Sequence, residues 1–238
     1  MIYSSVLDNV SNMDKPLTDK CIVLDLDETL IHSCEDINLL HNIGILNDPK
    51  LLDLRKRVYI LKLDDVVSAK GEGVRSNIWG IMRPNLKEFL KFCFSYFKIV
   101  AVWSAGQKKY VESVCDIIFR DVRRPHIIYS WPDCDRTNGD NEKPLLKMMK
   151  LEPSIGKYMY LENTFIVDDN LKSFKRVNPD NAIWIPRYEP NINANDLRED
   201  ENSLNEFKKW LLRPEIMKSQ DVTLLDKNNI FSKLPSDP

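Results

Sequence analysis

The run Cys21-Ile-Val-Leu24, four apolar residues stopped by Asp25 and, two positions on, by Asp27, constrains this chain more than any other stretch. A short apolar run without polar alternation reads as a strand covered on both faces, as in a parallel sheet, although periodicity alone leaves a buried helical segment open. Asp25 then falls at the carboxyl end of the strand, where open α/β sheets bind ligands. The other reading at this point is that Asp25, Asp27 and Thr29 cap the next helix, since all three residue types favour helix starts and turns.

The same pattern recurs further along. Pro84 to Phe97 carries Leu86, Phe89, Leu90, Cys93, Phe94 and Phe97 at helical spacing, with Pro84 placed for a first helical turn. It leads into Ile99-Val-Ala-Val-Trp103, a β-branched run that stops at Ser104-Ala-Gly106. A second amphipathic helix is expected from about Gln107 to Phe119, with Tyr110, Val111, Val114, Ile117 and Ile118 on one face. Thr164-Phe-Ile-Val-Asp168 is again an apolar run ending in acids, Asp168 and Asp169. Ala182-Ile-Trp-Ile185, bounded by Asn178-Pro179 and Pro186, reads as a fourth strand. Helix-linked strands of this kind imply a parallel sheet with helices on its faces.

Between the first strand and the Pro84 helix, Val58 to Val67 and Asn77 to Met82 are strand-like about a Gly71-Glu-Gly73 turn, which predicts a β-hairpin insertion beside the site, about residues 55–82. Gly71 and Gly73 make no dinucleotide fingerprint, because neither a third glycine nor a following helix accompanies them. Asp196 to Leu212 reads as an amphipathic helix with Leu204, Phe207 and Leu211 on one side. Beyond Pro214 the pattern is weak. The expected organisation is one catalytic domain over residues 1–212 and a C-terminal tail over residues 213–238.

Composition narrows the function classes. At 29% charged and 43% hydrophobic residues the chain is neither disordered nor membranous, and no apolar run is long enough to span a bilayer. Met1 to Lys20 lacks the apolar core of a secretory signal, so an intracellular protein with no membrane contact is expected. Five cysteines without a Cys-x-x-Cys pair argue for reduced thiols, and three histidines without close His or Cys partners argue against structural zinc. Any metal here should prefer oxygen. A net charge of −2 gives no global attraction to nucleic acid, and Arg55-Lys56-Arg57 reads as a solvated face.

Three strands thus end at Asp25 and Asp27, at Ser104, and at Asp168 and Asp169. Taken alone, Asp168-Asp169-Asn170 is more commonly a turn or helix cap. Gathered in one crevice, four carboxylates repel unless a cation or proton intervenes, and oxygen-rich sites suit magnesium. Magnesium with paired aspartates suits phosphoryl transfer, in which positioning and charge neutralisation supply most of the catalysis. Asp25 would be the nucleophile, and Asp27 would protonate the leaving alkoxide and later deprotonate the attacking water.

Asp25-Leu-Asp-Glu-Thr-Leu-Ile-His-Ser33 closely resembles the D-x-D-x-T signature of the RNA polymerase II carboxy-terminal-domain phosphatases of the haloacid dehalogenase superfamily. The resemblance extends in order through Arg83-Pro-Asn-Leu86, Val102-Trp-Ser-Ala105 with Tyr110, Glu142-Lys-Pro-Leu145 and Ile166-Val-Asp-Asp169. It implies a Rossmann-like α/β core and a magnesium-dependent phosphoserine/phosphothreonine phosphatase working through an aspartyl phosphate. It also implies residue roles: Asp25 as nucleophile and metal ligand, Asp27 as general acid/base and ligand through its carbonyl, and Asp169 as ligand with Asp168 beside it. Thr29 would support the loop, and Ser104 and Lys143 would bind the phosphate. Without the resemblance Lys143 reads as a surface lysine, and Arg83 reads equally as a support of the site or as a structural arginine.

Ser104 stands where relatives commonly carry threonine, which keeps the hydroxyl. The segment from Tyr129 to Asn141 departs from the family pattern, and Trp131 within it is either a proline-stacking platform or packing. The resemblance further implies a phosphorylated protein substrate, the polymerase tail among them, and nuclear residence. The competing readings are a phosphatase of small metabolites or nucleic-acid ends on the same core, and a catalytically silent binding module.

Overall fold

The computed structural model describes residues 15–67, 73–199 and 201–235; the expected Gly71-Glu-Gly73 turn falls largely outside them. β1 (Cys21–Leu24) is followed by β2 (Ile31–Cys34), α1 (Ile37–Ile43) and α2 (Leu52–Arg55). β3 (Val58–Val67), β4 (Gly73–Met82), α3 (Leu86–Tyr96), β5 (Ile99–Trp103) and α4 (Lys108–Ile118) come next. The chain continues through β6 (Ile127–Tyr129), β7 (Asp135–Thr137), β8 (Asp140–Glu142), α5 (Leu145–Leu151) and α6 (Pro153–Gly156). It closes with β9 (Thr164–Asp168), β10 (Ala182–Trp184), α7 (Ser203–Leu211) and α8 (Pro214–Lys218).

Five strands form a parallel sheet in the order β10-β9-β1-β5-β6. The alternation of β1 explains why its sequence is apolar throughout. Ile22 and Leu24 pack into one core with Phe89, Val114, Phe207 and Ile216, while Cys21 and Val23 pack into the opposite one with Leu145, Met148 and Met159. Both faces of the sheet are covered, so no position on β1 tolerates a polar side chain. Each fully buried aliphatic residue there contributes about 1.5–3 kcal/mol of transfer free energy.

A second, antiparallel sheet in the order β2-β4-β3 is the expected hairpin insertion, enlarged by β2. The first three residues of β2 belong to the quoted signature segment, and a four-residue strand of mixed polarity gives no period to read. A third cluster, including Trp79, Ile81, Leu40, Leu54 and Tyr188, packs this sheet onto the body. The small β7–β8 hairpin and the three-residue β6 also lie outside the sequence reading, being too short and, for β7 and β8, too polar.

Three expectations are corrected. The helix begins at Leu86 rather than at Pro84, because Asn85 takes φ 63°, a left-handed conformation that ends the preceding turn and that asparagine tolerates better than most residues. The segment from Asp196 to Leu212 is not one helix: a 3₁₀ turn at Asp196–Arg198 precedes α7, and Leu197 packs with Trp79 and Tyr188 while Leu204, Phe207 and Leu211 enter the main core. The boundary after residue 212 does not end the packed unit. Ile216, Val222, Ile230 and Phe231 are buried in the main core, Val222 N–H donates to Glu162 O at 2.7 Å, and Lys20 Nζ donates to Met217 O and Ser219 O at 2.9 and 2.8 Å. These apolar residues are scattered without a period, so only tertiary packing reveals them. No helix among the described residues is long and apolar enough to cross a membrane.

Candidate active site

The carboxyl ends of β1, β5 and β9 meet at one edge of the sheet. Asp25 extends the ladder by one bond, its N–H donating to Val167 O at 3.0 Å, which fixes where its side chain emerges. Lys143, delivered by the turn between β8 and α5, donates from Nζ to Asp25 Oδ1 and to Asp168 Oδ2, both at 2.6 Å. All three side chains are buried, at 7%, 3% and 1% exposure for Asp25, Lys143 and Asp168. Burial pushes the Asp25 carboxyl well up; Lys143 opposes this, and Asp168 and Asp169 add to it. Burial pulls Lys143 down, but Asp168 and Asp25 outweigh it and hold the ammonium protonated.

Asp169 is gripped from two sides. Thr29 Oγ1 donates to Asp169 Oδ1 at 3.2 Å and accepts from Asp169 N–H at 3.1 Å, and Arg187 Nη1 donates to Asp169 Oδ2 at 3.0 Å. Its carboxyl is pushed up to about 6 by burial first and then by Asp168. One carboxylate oxygen from each of Asp25, Asp168 and Asp169 lies within 4.8 Å of the others. Lysine and arginine compensate only part of this buried charge, and the donors are all oxygen, so the residues fit a hard divalent cation.

The loop after β1 turns tightly, with Thr29 and Leu30 N–H both donating to Leu26 O, and Glu28 takes φ 56°. That turn lifts Asp27 beside Asp25. Tyr110 of α4 donates to Asp27 Oδ1, and Ser104 Oγ donates to Asp27 Oδ2 at 3.3 Å while accepting from Gly106 N–H at 3.0 Å. Burial raises the Asp27 carboxyl and the Tyr110 bond opposes it. A cleft of about 480 Å³ opens over these groups, lined also by Glu28, by the Gly139–Asn141 tip of the β7–β8 hairpin, and by Lys172 and Arg187.

The model of the NLI interacting factor-like phosphatase family matches residues 20–223. The chain belongs to that family. It is 29% identical over 167 residues to a protein of Dictyostelium discoideum named as a probable C-terminal domain small phosphatase, covering 70% of this chain and 43% of that protein. It is 26% identical over 178 residues to the phosphatase PSR1 of Saccharomyces cerevisiae, covering 75% of this chain and 34% of that protein. The chain therefore spans less than half the length of these two relatives. The fission yeast RNA polymerase II CTD phosphatase Fcp1, solved with beryllium fluoride, shares the fold with a TM-score of 0.57 at 21% identity, over 86% of this chain and 52% of that one.

Within this family member, the structure brings Asp25, Asp27, Ser104, Lys143, Asp168 and Asp169 to one cleft. Thr29 lies beneath it, fully buried. Arg83 does not reach the cleft: its guanidinium donates to Thr29 O at 2.8 Å and Pro186 O at 2.7 Å and pairs with Glu201 at 2.7 and 2.8 Å. It holds the backbone of the signature loop. Lys143 is buried, not the surface lysine that composition implies. Trp131 is 39% exposed, with the Arg136 guanidinium 4.1 Å above its ring, and its backbone N–H donates to Gly106 O at 2.8 Å.

Sequence reasoning missed Arg187, Glu28 and the hairpin tip. Arg187 had a usable signal, since it follows β10 at the same edge where the other strands deliver their charges. Glu28 and Asn141 had none, because their positions depend on a left-handed turn and on a three-residue hairpin.

Proposed function

We propose that this protein is a magnesium-dependent phosphoserine/phosphothreonine phosphatase that works through an aspartyl phosphate on Asp25. The observation that carries the reading is the buried Asp25–Lys143–Asp168 cluster at the parallel sheet edge, with Asp27 held beside it by Tyr110 and Ser104. Asp25 attacks phosphorus in line, and the departing serine or threonine oxygen takes the proton of Asp27. Asp27 then removes a proton from the water that attacks the aspartyl phosphate, which frees inorganic phosphate and restores Asp25. Lys143 and the Ser104 hydroxyl bind the phosphoryl oxygens, and Arg187 holds Asp169 in place.

Asp25 and Asp169 through their carboxylates, and Asp27 through its carbonyl as the family resemblance implies, would hold the magnesium. When bound, the metal supplies positive charge against the phosphoryl oxygens. Phosphate monoesters need rate enhancements approaching ~10²¹, which demands several converging charges of this kind. A phosphoprotein segment is the substrate favoured by the cleft, which is bordered by the tip of the β7–β8 hairpin and has no separate covering domain among the described residues. The polymerase tail, acted on by the structural relative, is its first candidate, and action in the nucleus goes with it. The gathered charges argue against a silent module.

The test is magnesium-dependent phosphate release from a phosphoserine heptad peptide, compared with phosphorylated metabolites and 5′-phosphorylated oligonucleotides. Release from the peptide that disappears in Asp25→Asn, with the fold retained, is the expected result. Full activity in Asp25→Asn sinks the nucleophile assignment, and faster turnover of the small phosphates replaces the substrate class.

A further inference from the structure

Ser33, Gly80 and Tyr59 stand in one cross-strand row of the insertion sheet, on β2, β4 and β3. The outer strands of such a row are about 10 Å apart, and the side chain of the middle residue normally separates theirs. Here the middle residue is glycine. A Cβ at Gly80 would fall on Cζ and Oη of Tyr59, closer than heavy atoms can approach. The missing side chain lets the Tyr59 ring lie across β4, so that its hydroxyl reaches Ser33 Oγ at 2.8 Å. Ser33 Oγ in turn is 2.6 Å from Tyr110 Oη, and Tyr110 bonds to Asp27 Oδ1.

Counting protons gives this chain a direction. Each hydroxyl has one hydrogen, and ionised Asp27 only accepts. The Tyr110 hydrogen goes to Asp27, so Ser33 must donate to Tyr110, and Tyr59 must donate to Ser33. Three aligned hydroxyls end on Oδ1, and aligned hydrogen bonds polarise one another. Oδ2 carries only the longer 3.3 Å contact with Ser104.

We propose that Tyr59 and Gly80 are positioning residues for the reaction: through Ser33 and Tyr110 they fix the rotation of the Asp27 carboxyl group, binding Oδ1 and leaving Oδ2 to give the proton to the leaving group. The inference rests on the phosphatase reading above. In the step concerned, the phosphorus–oxygen bond of the ester breaks, the alkoxide takes the proton from Oδ2, and the charge left on Asp27 is met at Oδ1 by the aligned hydroxyls. The hairpin insertion is thereby part of the acid catalyst.

A merely structural tyrosine would affect all substrates alike, so the test uses two leaving groups. Serine alkoxide needs a proton; p-nitrophenolate does not. In Tyr59→Phe, kcat/KM on a phosphoserine peptide is expected to fall about 10-fold, a fraction of the ~10²–10⁴ that general acid catalysis supplies, while p-nitrophenyl phosphate changes less than about twofold. Gly80→Ala should reproduce this selective loss, and Ser33→Ala serves in its place where Gly80→Ala does not fold. A readout independent of turnover is the downfield hydroxyl proton resonance of Tyr110, which should shift upfield in Tyr59→Phe. An equal fall on both substrates, or no change on either, overturns the proposal while Asp25-dependent activity in the parent leaves the phosphatase reading standing. A parent whose activity survives Asp25→Asn overturns both.

Discussion

Replacing Arg83 by methionine keeps most of the methylene stem and removes the guanidinium. Arg83 is 1% exposed. The change leaves Thr29 O and Pro186 O without donors, at about 1–3 kcal/mol for each unsatisfied buried acceptor. It also strips Glu201 of its cation, and breaking a buried pair from one side costs about 3–5 kcal/mol. Glu201 is 19% exposed and keeps the Ser203 N–H at 3.1 Å, so it relaxes partly toward water. The terms are not additive, and a total loss of roughly 4 kcal/mol is expected, or about 8–16 °C in Tm for a chain of this size. Urea unfolding followed by tryptophan fluorescence reads it as a lower midpoint at unchanged slope. The internal control is Arg198→Met, which removes an equally bidentate pair with Asp53, both partners lying on the surface. That midpoint should stay within scatter, because exposed pairs are screened. Equal shifts for the two arginines, or an Arg83→Met loss below about 1 kcal/mol, would refute the argument that burial decides the magnitude. The acid limb offers a second check. Burial acts to raise the Glu201 carboxyl, yet Arg83 holds it below its ordinary value. The parent therefore has this stability in full above the unfolded carboxylate range and loses it as pH falls through the lower folded value, a dependence Arg83→Met should flatten.

Thr29→Val keeps the shape but removes both hydroxyl contacts to Asp169, leaving a buried N–H unpaired; stability should drop by about 1–3 kcal/mol and magnesium affinity, measured calorimetrically, should weaken. His126 Nδ1 meets the Val100 backbone and lies near Phe94 and Arg123; burial lowers its pKa below 6.5, opposed by the Val100 hydrogen bond and aided by Arg123. Its protonation costs stability as pH falls from about 6.5 through the folded value, so His126→Gln should flatten the pH dependence of unfolding there. Of five free cysteines only Cys34 is half-exposed, and burial pushes the Cys21 and Cys115 thiols up to about 12. Iodoacetamide at pH 8 should add one label, at Cys34 by mass spectrometry; labelling of Cys21 in the folded protein would contradict the burial argument.

The parallel sheet was legible because β1, β5 and β9 are unbroken apolar runs that stop at polar residues, a pattern that strands covered on both faces impose. The gathering of the candidate site residues was legible for the same reason, since topology brings strand ends to one edge. Lys143 was not legible from composition. A lysine between a polar three-residue strand and a short helix looks solvent-exposed, and only the carboxylates it meets in space keep it buried. Val222, Ile230 and Phe231 went unread as core because single apolar residues in irregular chain carry no period, whereas the core that receives them is built by segments far away. The role of Gly80 emerges only when β2, β4 and β3 are aligned in register.

The central place of β1 in the sheet has a consequence for how the protein comes into being. Its neighbours β5 and β9 arrive far later in the chain, and the bonds that complete the site span 118 residues from Lys143 to Asp25 and 140 from Asp169 to Thr29. Closing loops of that length precedes any reward in contact energy, so the site belongs to the last stages of folding. A nascent chain still short of β9 holds Asp25 and Asp27 with no strand to receive their loop. Such a chain lacks the assembled cluster however much secondary structure it has formed, and on the proposed reading recovery of Asp25-dependent phosphatase activity after dilution from denaturant should keep time with the slowest folding phase.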